Sequence, residues 1–304
     1  MLLKPQPLRL GDSVAVVAPG GAYDAERLER GCRLLETWGL SVTRPRARPT
    51  VRYLAGSDES RAGELREALD TRAVRAVLVA RGGVGATRLF GHLRLRPAPE
   101  EPKLFVGFSD TTVLLTRLVQ EATWVSFHGP MIAADLPDLS AAAQERFRRF
   151  LFDEAGWWSG EATACWRAGR GSGRLIGGCL TILVATLGTP YEVYTDEQVL
   201  FLEDVNEKPY RVERMLVQLR DAGKFERASA IVFGAMPGCD EGGGPEVLRG
   251  IVLDVLAPYR CPILFGVRAG HASENVVLPF GCRVSVCGED VAMTLDESPF
   301  SRRG

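Results

Sequence analysis

A chain of 304 residues with 46% hydrophobic and 25% charged side chains and a formal net charge of −1 has material for two cores, and nothing in its charge balance points to a polyanion or an acidic membrane as partner. No run of about 18 apolar residues occurs, and residues 1–7 (MLLKPQP) have neither an apolar core nor a small-residue cleavage site, so the expected compartment is the cytoplasm. The seven cysteines (32, 165, 179, 239, 261, 282, 287) form no CxxC pair and read as reduced small hydrophobes, with neither a disulfide frame nor a zinc site expected.

Residues 13–18 (SVAVVA) predict a buried strand opening into Pro19-Gly20-Gly21, a turn that matches neither GxGxxG nor GxxxxGK[ST]. Asp24 is placed to cap a helix with Leu28, Cys32 and Leu35 on one face and Gly39 as its stop. A weak strand at 41–43, an Arg- and Pro-containing loop and a helix from Ser60 to Asp70, with Leu65 and Leu69 on one face, come next. Residues 76–80 (AVLVA) form another buried strand and run into Arg81-Gly82-Gly83-Val84-Gly85. So many glycines mean a tight turn or a close backbone approach. Arg81 there either makes an internal ion pair or holds a substrate carboxylate.

The stretch from Lys103 to Leu115 organises the chain: apolar residues 104–106 (LFV), a permissive Gly107, Ser109 at the bend and helix-start chemistry in Asp110-Thr111-Thr112. Strand, sharp turn and helix lift a hydroxyl above the carboxyl edge of a sheet and aim the following amides at one point, as in a nucleophile elbow. The plainer alternative is an N-capping serine. Residues 124–131 (WVSFHGPM) form a strand ending near His128, which reads as a structural histidine. Alternation of short strands and helices over residues 1–152 predicts a doubly wound α/β domain.

Residues 153–173, with Trp157, Trp158 and Trp166 among glycines and charges, read as a linker with exposed aromatic surface. Residues 174–304 read as a smaller, mixed α/β domain. It contains a helix after Gly177-Gly178, a strand at 199–202 that delivers Glu203 and Asp204, and a regular helix after Pro209 with Val212, Met215, Leu216 and Leu219 on its face. Strands at 230–234 and 262–266, a glycine turn around His271 and three short antiparallel strands in 276–295 complete it.

Ser109, Glu203 and His271 stand at strand ends or in glycine turns, in that order. A hydroxyl needs a base to take its proton as it attacks, imidazole has the right pKa, and a carboxylate fixes the imidazole tautomer. Of the three histidines, His271 is a better base candidate than His92, which lies in a Leu/Arg-rich segment. The plainer role for Glu203 is an ion pair.

Seven ordered blocks then carry a resemblance: VAVVAPGG near the start, RGGVG at 81–85, VGFSD at 106–110, HGPM at 128–131, GRLIGG at 173–178, LFLEDVNEKPYRVERML at 200–216 and GHASENVVLP at 270–279. Together they resemble the LD-carboxypeptidase family, the muramoyl-tetrapeptide carboxypeptidases, with the related microcin C immunity peptidases. The resemblance implies a class I amidotransferase-like first domain, a Ser109-His271-Glu203 triad and an oxyanion hole of backbone donors at Asp110 and Gly83 in the Gly82-Gly83 turn; Arg81 and Gly82, from the reading of the glycine loop, are the candidate substrate contacts. The resemblance also implies release of D-alanine from murein tetrapeptides in cytoplasmic cell-wall recycling, a homodimer, and no cofactor or metal.

Phe108 replaces the usual tyrosine of that family's serine block, Val84 a common tyrosine, and Cys179 and Thr181 stand where Asn and Ser are frequent. None removes a triad member, so these departures bear on substrate more than on reaction. Two other readings stay open: a peptidase cutting peptidyl nucleotides, and a non-catalytic protein that binds a peptide or nucleotide.

Overall fold

The computed structural model describes residues 2–93 and 102–301. Its strands are β1 (Ser13–Val17), β2 (Ser41–Thr43), β3 (Val74–Val79), β4 (Leu104–Gly107), β5 (Ser126–His128), β6 (Ala164–Arg167), β7 (Arg170–Cys179), β8 (Gln198–Glu203), β9 (Ala230–Phe233), β10 (Ile263–Phe265), β11 (Leu278–Phe280), β12 (Arg283–Cys287) and β13 (Ala292–Leu295). Its α-helices are α1 (Ala25–Thr37), α2 (Asp58–Asp70), α3 (Thr112–Gln120), α4 (Ala141–Leu151), α5 (Leu180–Ala185), α6 (Pro209–Asp221) and α7 (Pro245–Val255). Among the described residues these strands make two sheets, ordered β11-β5-β4-β3-β1-β2 and β13-β12-β7-β8-β9-β10-β6.

The first compact unit comprises the chain through Trp158, with Val276–Pro279 and the segment starting at Pro299. Its strands β2, β1, β3, β4 and β5 pair in parallel, so the loops after β1, β3 and β4 all leave the same edge. The apolar residues 76–79 of β3 and 104–107 of β4 are buried on both faces. Each fully buried Val or Leu there contributes roughly 1.5–3 kcal/mol. Asp24 does cap α1, accepting from the Arg27 amide at 2.8 Å. Helix α2 starts earlier than its sequence suggested, at Asp58 with Ser57 as cap, and its buried face is partly charged: Arg61 and Glu64 lie with Ala62, Leu65 and Ala68.

The second unit, Ser159–Asn275 with Phe280–Ser298, is mixed as expected. Strands β7, β8, β9 and β10 are parallel, whereas β6 joins β10, β12 joins β7 and β13 joins β12 antiparallel. The segment read as a linker, 153–173, therefore holds β6 and the first part of β7. Nor are its tryptophans an exposed surface: Trp157 and Trp166 are buried, Trp157 against Phe150 and Trp166 stacked on Phe265 with ring centroids 4.1 Å apart. Of the three strands expected in the tail, only β12 and β13 belong to the second sheet; β11 is an edge strand of the first.

Candidate active site

In the first unit, β4 delivers the chain through Phe108, an extended residue, into Ser109 at φ +58°. A serine in the left-handed region costs on the order of 1–3 kcal/mol and persists only where its surroundings hold it. The support is local. Thr111 donates from both its amide (3.2 Å) and its hydroxyl (2.8 Å) to the Phe108 carbonyl. A single 3₁₀ turn, Ser109–Thr111, then leads into α3. Ser109 is not a helix cap; that position of α3 belongs to Thr111. The seryl side chain is partly exposed, while Phe108 and Asp110 are buried.

The glycine loop after β3 stands against this bend. A Cβ on Gly82 would come within 3.0 Å of Ser109 Cβ and 3.2 Å of both Ser109 Oγ and the Asp110 nitrogen, so any side chain at 82 would push the loop off the serine. The Gly82 carbonyl accepts from the Gly21 amide at 2.7 Å, tying in the loop after β1. Gly83 adopts φ +84°. Arg81 is exposed and donates to the Ala22 carbonyl at 2.6 Å, so its guanidinium braces the neighbouring loop. Its expected internal partner is a backbone oxygen in place of a carboxylate. His128 is wholly buried, its ring 5.4 Å from that of Phe108, which fits a structural role. His92 is half-buried, just after the short 3₁₀ helix Ala86–Gly91, and shares no hydrogen bond with either group of candidates.

In the second unit, β8 ends on Glu203, buried completely. Its Oε2 accepts from His271 twice, from the ring Nδ1 at 2.7 Å and from the backbone amide at 3.1 Å. A Cβ on Gly270 would lie 2.4 Å from that same oxygen, and Gly270 sits at φ +91°, so glycine is what lets the backbone pass so close. With Nδ1–H donated to a carboxylate, Nε2 is the basic nitrogen of the neutral ring. Burial pushes the Glu203 carboxyl above its ordinary range, and His271 opposes that rise. Asn275, at φ +40° and buried, accepts from the Gly270 amide at 2.9 Å. Arg268 pairs with Glu274 at 2.9 Å across the same turn.

The neighbouring acid has another task. Asp204 Oδ2 accepts from the Thr181 amide and hydroxyl, both at 2.8 Å, at the start of α5. Two consecutive carboxylates are thus separated into one that holds a histidine and one that holds a helix. Asp110 was read as helix-start chemistry, whereas its carboxylate accepts from the Ala86 amide at 2.9 Å and Thr111 takes the cap position of α3; Arg61 and Asn275 were given no role from the sequence. For Asn275 a signal existed, since Asn tolerates left-handed backbone in glycine-rich turns.

Comparison with known proteins matches residues 14–129 to the LD-carboxypeptidase N-terminal domain and residues 172–286 to the LD-carboxypeptidase C-terminal domain. The probable murein peptide carboxypeptidase of Bacillus subtilis is 33% identical over 290 residues, 93% of this chain and 91% of that protein. Among solved structures, muramoyltetrapeptide carboxypeptidase from Oxalobacter formigenes is similar at TM-score 0.79 and 31% identity, covering 93% of this chain and 97% of that one. The microcin C7 self-immunity protein MccF, in complex with aspartyl sulfamoyl adenosine, shares the fold at TM-score 0.88 and 22% identity, over 98% of this chain and 100% of that one.

Proposed function

Since the chain belongs to the LD-carboxypeptidase family, we propose that it is a serine peptidase that cuts the L,D bond of murein tetrapeptides and releases D-alanine. The observation that carries the reading is the 2.7 Å hydrogen bond from His271 Nδ1 to the buried Glu203. It leaves Nε2 as a base of fixed tautomer, the part a weak hydroxyl nucleophile needs.

In this reading His271 Nε2 takes the Ser109 proton as Oγ bonds to the carbonyl carbon. The resulting oxyanion receives N–H groups from Asp110 and Gly83, each such donor being worth about 100- to 1000-fold in rate. His271 then protonates the amine of D-alanine as the C–N bond breaks, and water hydrolyses the acyl-enzyme by the same steps in reverse. Glu203 keeps the imidazole oriented and stabilises its charged form. Arg81 and Gly82 lie in the loop that would meet the substrate. The parallel run β2-β1-β3-β4-β5 of the first sheet supports a doubly wound, amidotransferase-like unit. Family resemblance supports the cytoplasm as compartment and a homodimer as assembly.

Mass spectrometry of L-Ala-γ-D-Glu-diaminopimelate-D-Ala incubated with the protein and EDTA tests the reading. Loss of one alanine is expected with the wild type and none with Ser109→Ala; undiminished turnover by that variant would refute the nucleophile. The likeness to MccF makes peptidyl nucleotides the second substrate class. Cleavage of an aminoacyl sulfamoyl adenosine, with the tetrapeptide left intact, would favour it.

A further inference from the structure

We propose that Arg61 and the Asp110 carboxylate are positioning residues that clamp the 82–86 loop from its two polar sides, holding its amides in register with Ser109. The inference rests on the serine-hydrolase reading for its catalytic meaning, and on hydrogen bonds within the first unit for its geometry.

Asp110 follows the candidate nucleophile directly, is 2% exposed, and turns its side chain away from solvent toward the glycine loop. Its Oδ2 accepts from the Ala86 amide at 2.9 Å, and the Gly85 amide also stabilises the charged form. Burial pushes this carboxyl upward, and the two amides and Arg61 oppose the shift. A carboxylate in that place grips the N–H side of the loop's last peptides.

Arg61 grips the C=O side. It comes from α2, is 0% exposed, and donates through Nη1 to the Gly85 carbonyl at 2.9 Å and to the Pro19 carbonyl, and through Nε to the Gly56 carbonyl at 3.3 Å. Asp58 pairs with its remaining nitrogen and is itself held by Arg88. A buried guanidinium is costly unless its donors are used. Here they are spent on Asp58 and on the backbone of the loops after β1, β2 and β3, of which the first and third border the serine bend. The planar fork suits that task, since one nitrogen reaches two carbonyls from loops far apart in sequence. The peptide groups at 85 and 86 are thus fixed by an anion on the N–H side and a cation on the C=O side, which leaves the Gly82-Gly83 segment little freedom to drift from Ser109.

A tagged fluorophosphonate, which phosphonylates an activated serine, reads this directly. In Arg61→Met, the labelling rate constant at Ser109 and kcat on the tetrapeptide are expected to fall about 10- to 100-fold, because a shift of about 1 Å in a positioned donor has effects of that size. KM is expected to stay within roughly threefold, since the loss is in the transition state. The final labelled fraction stays near one per chain, and Arg61→Lys recovers part of the rate. A merely structural role would lower the labelled fraction and leave the rate of the labelled molecules alone, and that result overturns the proposal.

Amide hydrogen exchange of residues 82–86 supplies an arm independent of catalysis: about tenfold or faster exchange is expected in Arg61→Lys if the clamp opens locally. Unchanged exchange there refutes the clamp. Should Arg61→Met fail to fold, Arg61→Lys and Asp110→Asn carry the same comparison. If the wild type itself is not labelled, the serine-hydrolase reading fails, while the exchange result still decides the clamp.

Discussion

At the scale of single residues, the Glu203–His271 pair depends on an absent side chain. Gly270 lets Glu203 Oε2 accept both the ring and the backbone of the following residue, and a methyl group there would stand 2.4 Å from that oxygen. Gly270→Ala is therefore expected to displace the imidazole and lower kcat about 100-fold, with an added strain on the order of 1–3 kcal/mol from φ +91°. Turnover together with a thermal melt checks both. A variant with wild-type kcat would show that the close approach is dispensable. The pairing of His271 with Glu203 was foreshadowed in the sequence, where Glu203 ends an apolar strand and His271 sits in a glycine-rich turn. Arg61 was not. It shares the helical face of Leu65, yet its partners are carbonyls 42 and 24 residues away, and nothing local marks a charged residue as buried when the backbone of distant loops satisfies it.

At the scale of elements, α4 shows how exposed charge contributes. Glu145 faces Arg148 and Arg149, and Arg148 also reaches Glu154, so the Glu145 carboxyl is held down to about 2 from the ordinary 4.5 by its two arginines. A depressed acid stabilises the fold above its unfolded value and loses that contribution as pH falls through its folded one. The thermal stability gap between wild type and Glu145→Gln is therefore expected to narrow as pH drops from 4.5 toward 2. Because these side chains are partly exposed, salt should shrink the same gap at neutral pH. A gap that is flat in both pH and salt would remove the ion pairs from the helix's stability. Strands and helices with clean periodicity, such as β3, β4 and α6, were readable in advance. Strands β6 and the start of β7 were not, since glycines, charges and tryptophans hid a short pairing that tertiary contacts impose on the segment.

At the scale of the whole molecule, the chain returns to its first unit after building the second. Val276–Pro279 and the segment from Pro299 both group with the residues before Ser159. A boundary drawn from sequence as one cut near 153–173 could not anticipate this, because the returning pieces are a few residues long and a short apolar run such as residues 276–278 does not say which sheet it joins. They nevertheless complete a core. Phe300 is 4% exposed and packs its ring within 5.6 Å of Phe150 and 5.8 Å of Phe127, with Trp157 at 6.4 Å on another side. Removing that ring leaves a cavity among aromatics that the surrounding strand and helix fill only in part. Phe300→Ala is expected to cost about 3 kcal/mol or more in unfolding free energy, even though the residue lies almost at the end of the sequence. Urea denaturation followed by tryptophan fluorescence gives the value. A loss under about 1 kcal/mol, the size of an ordinary surface change, would mean that the first unit is closed without its last segment.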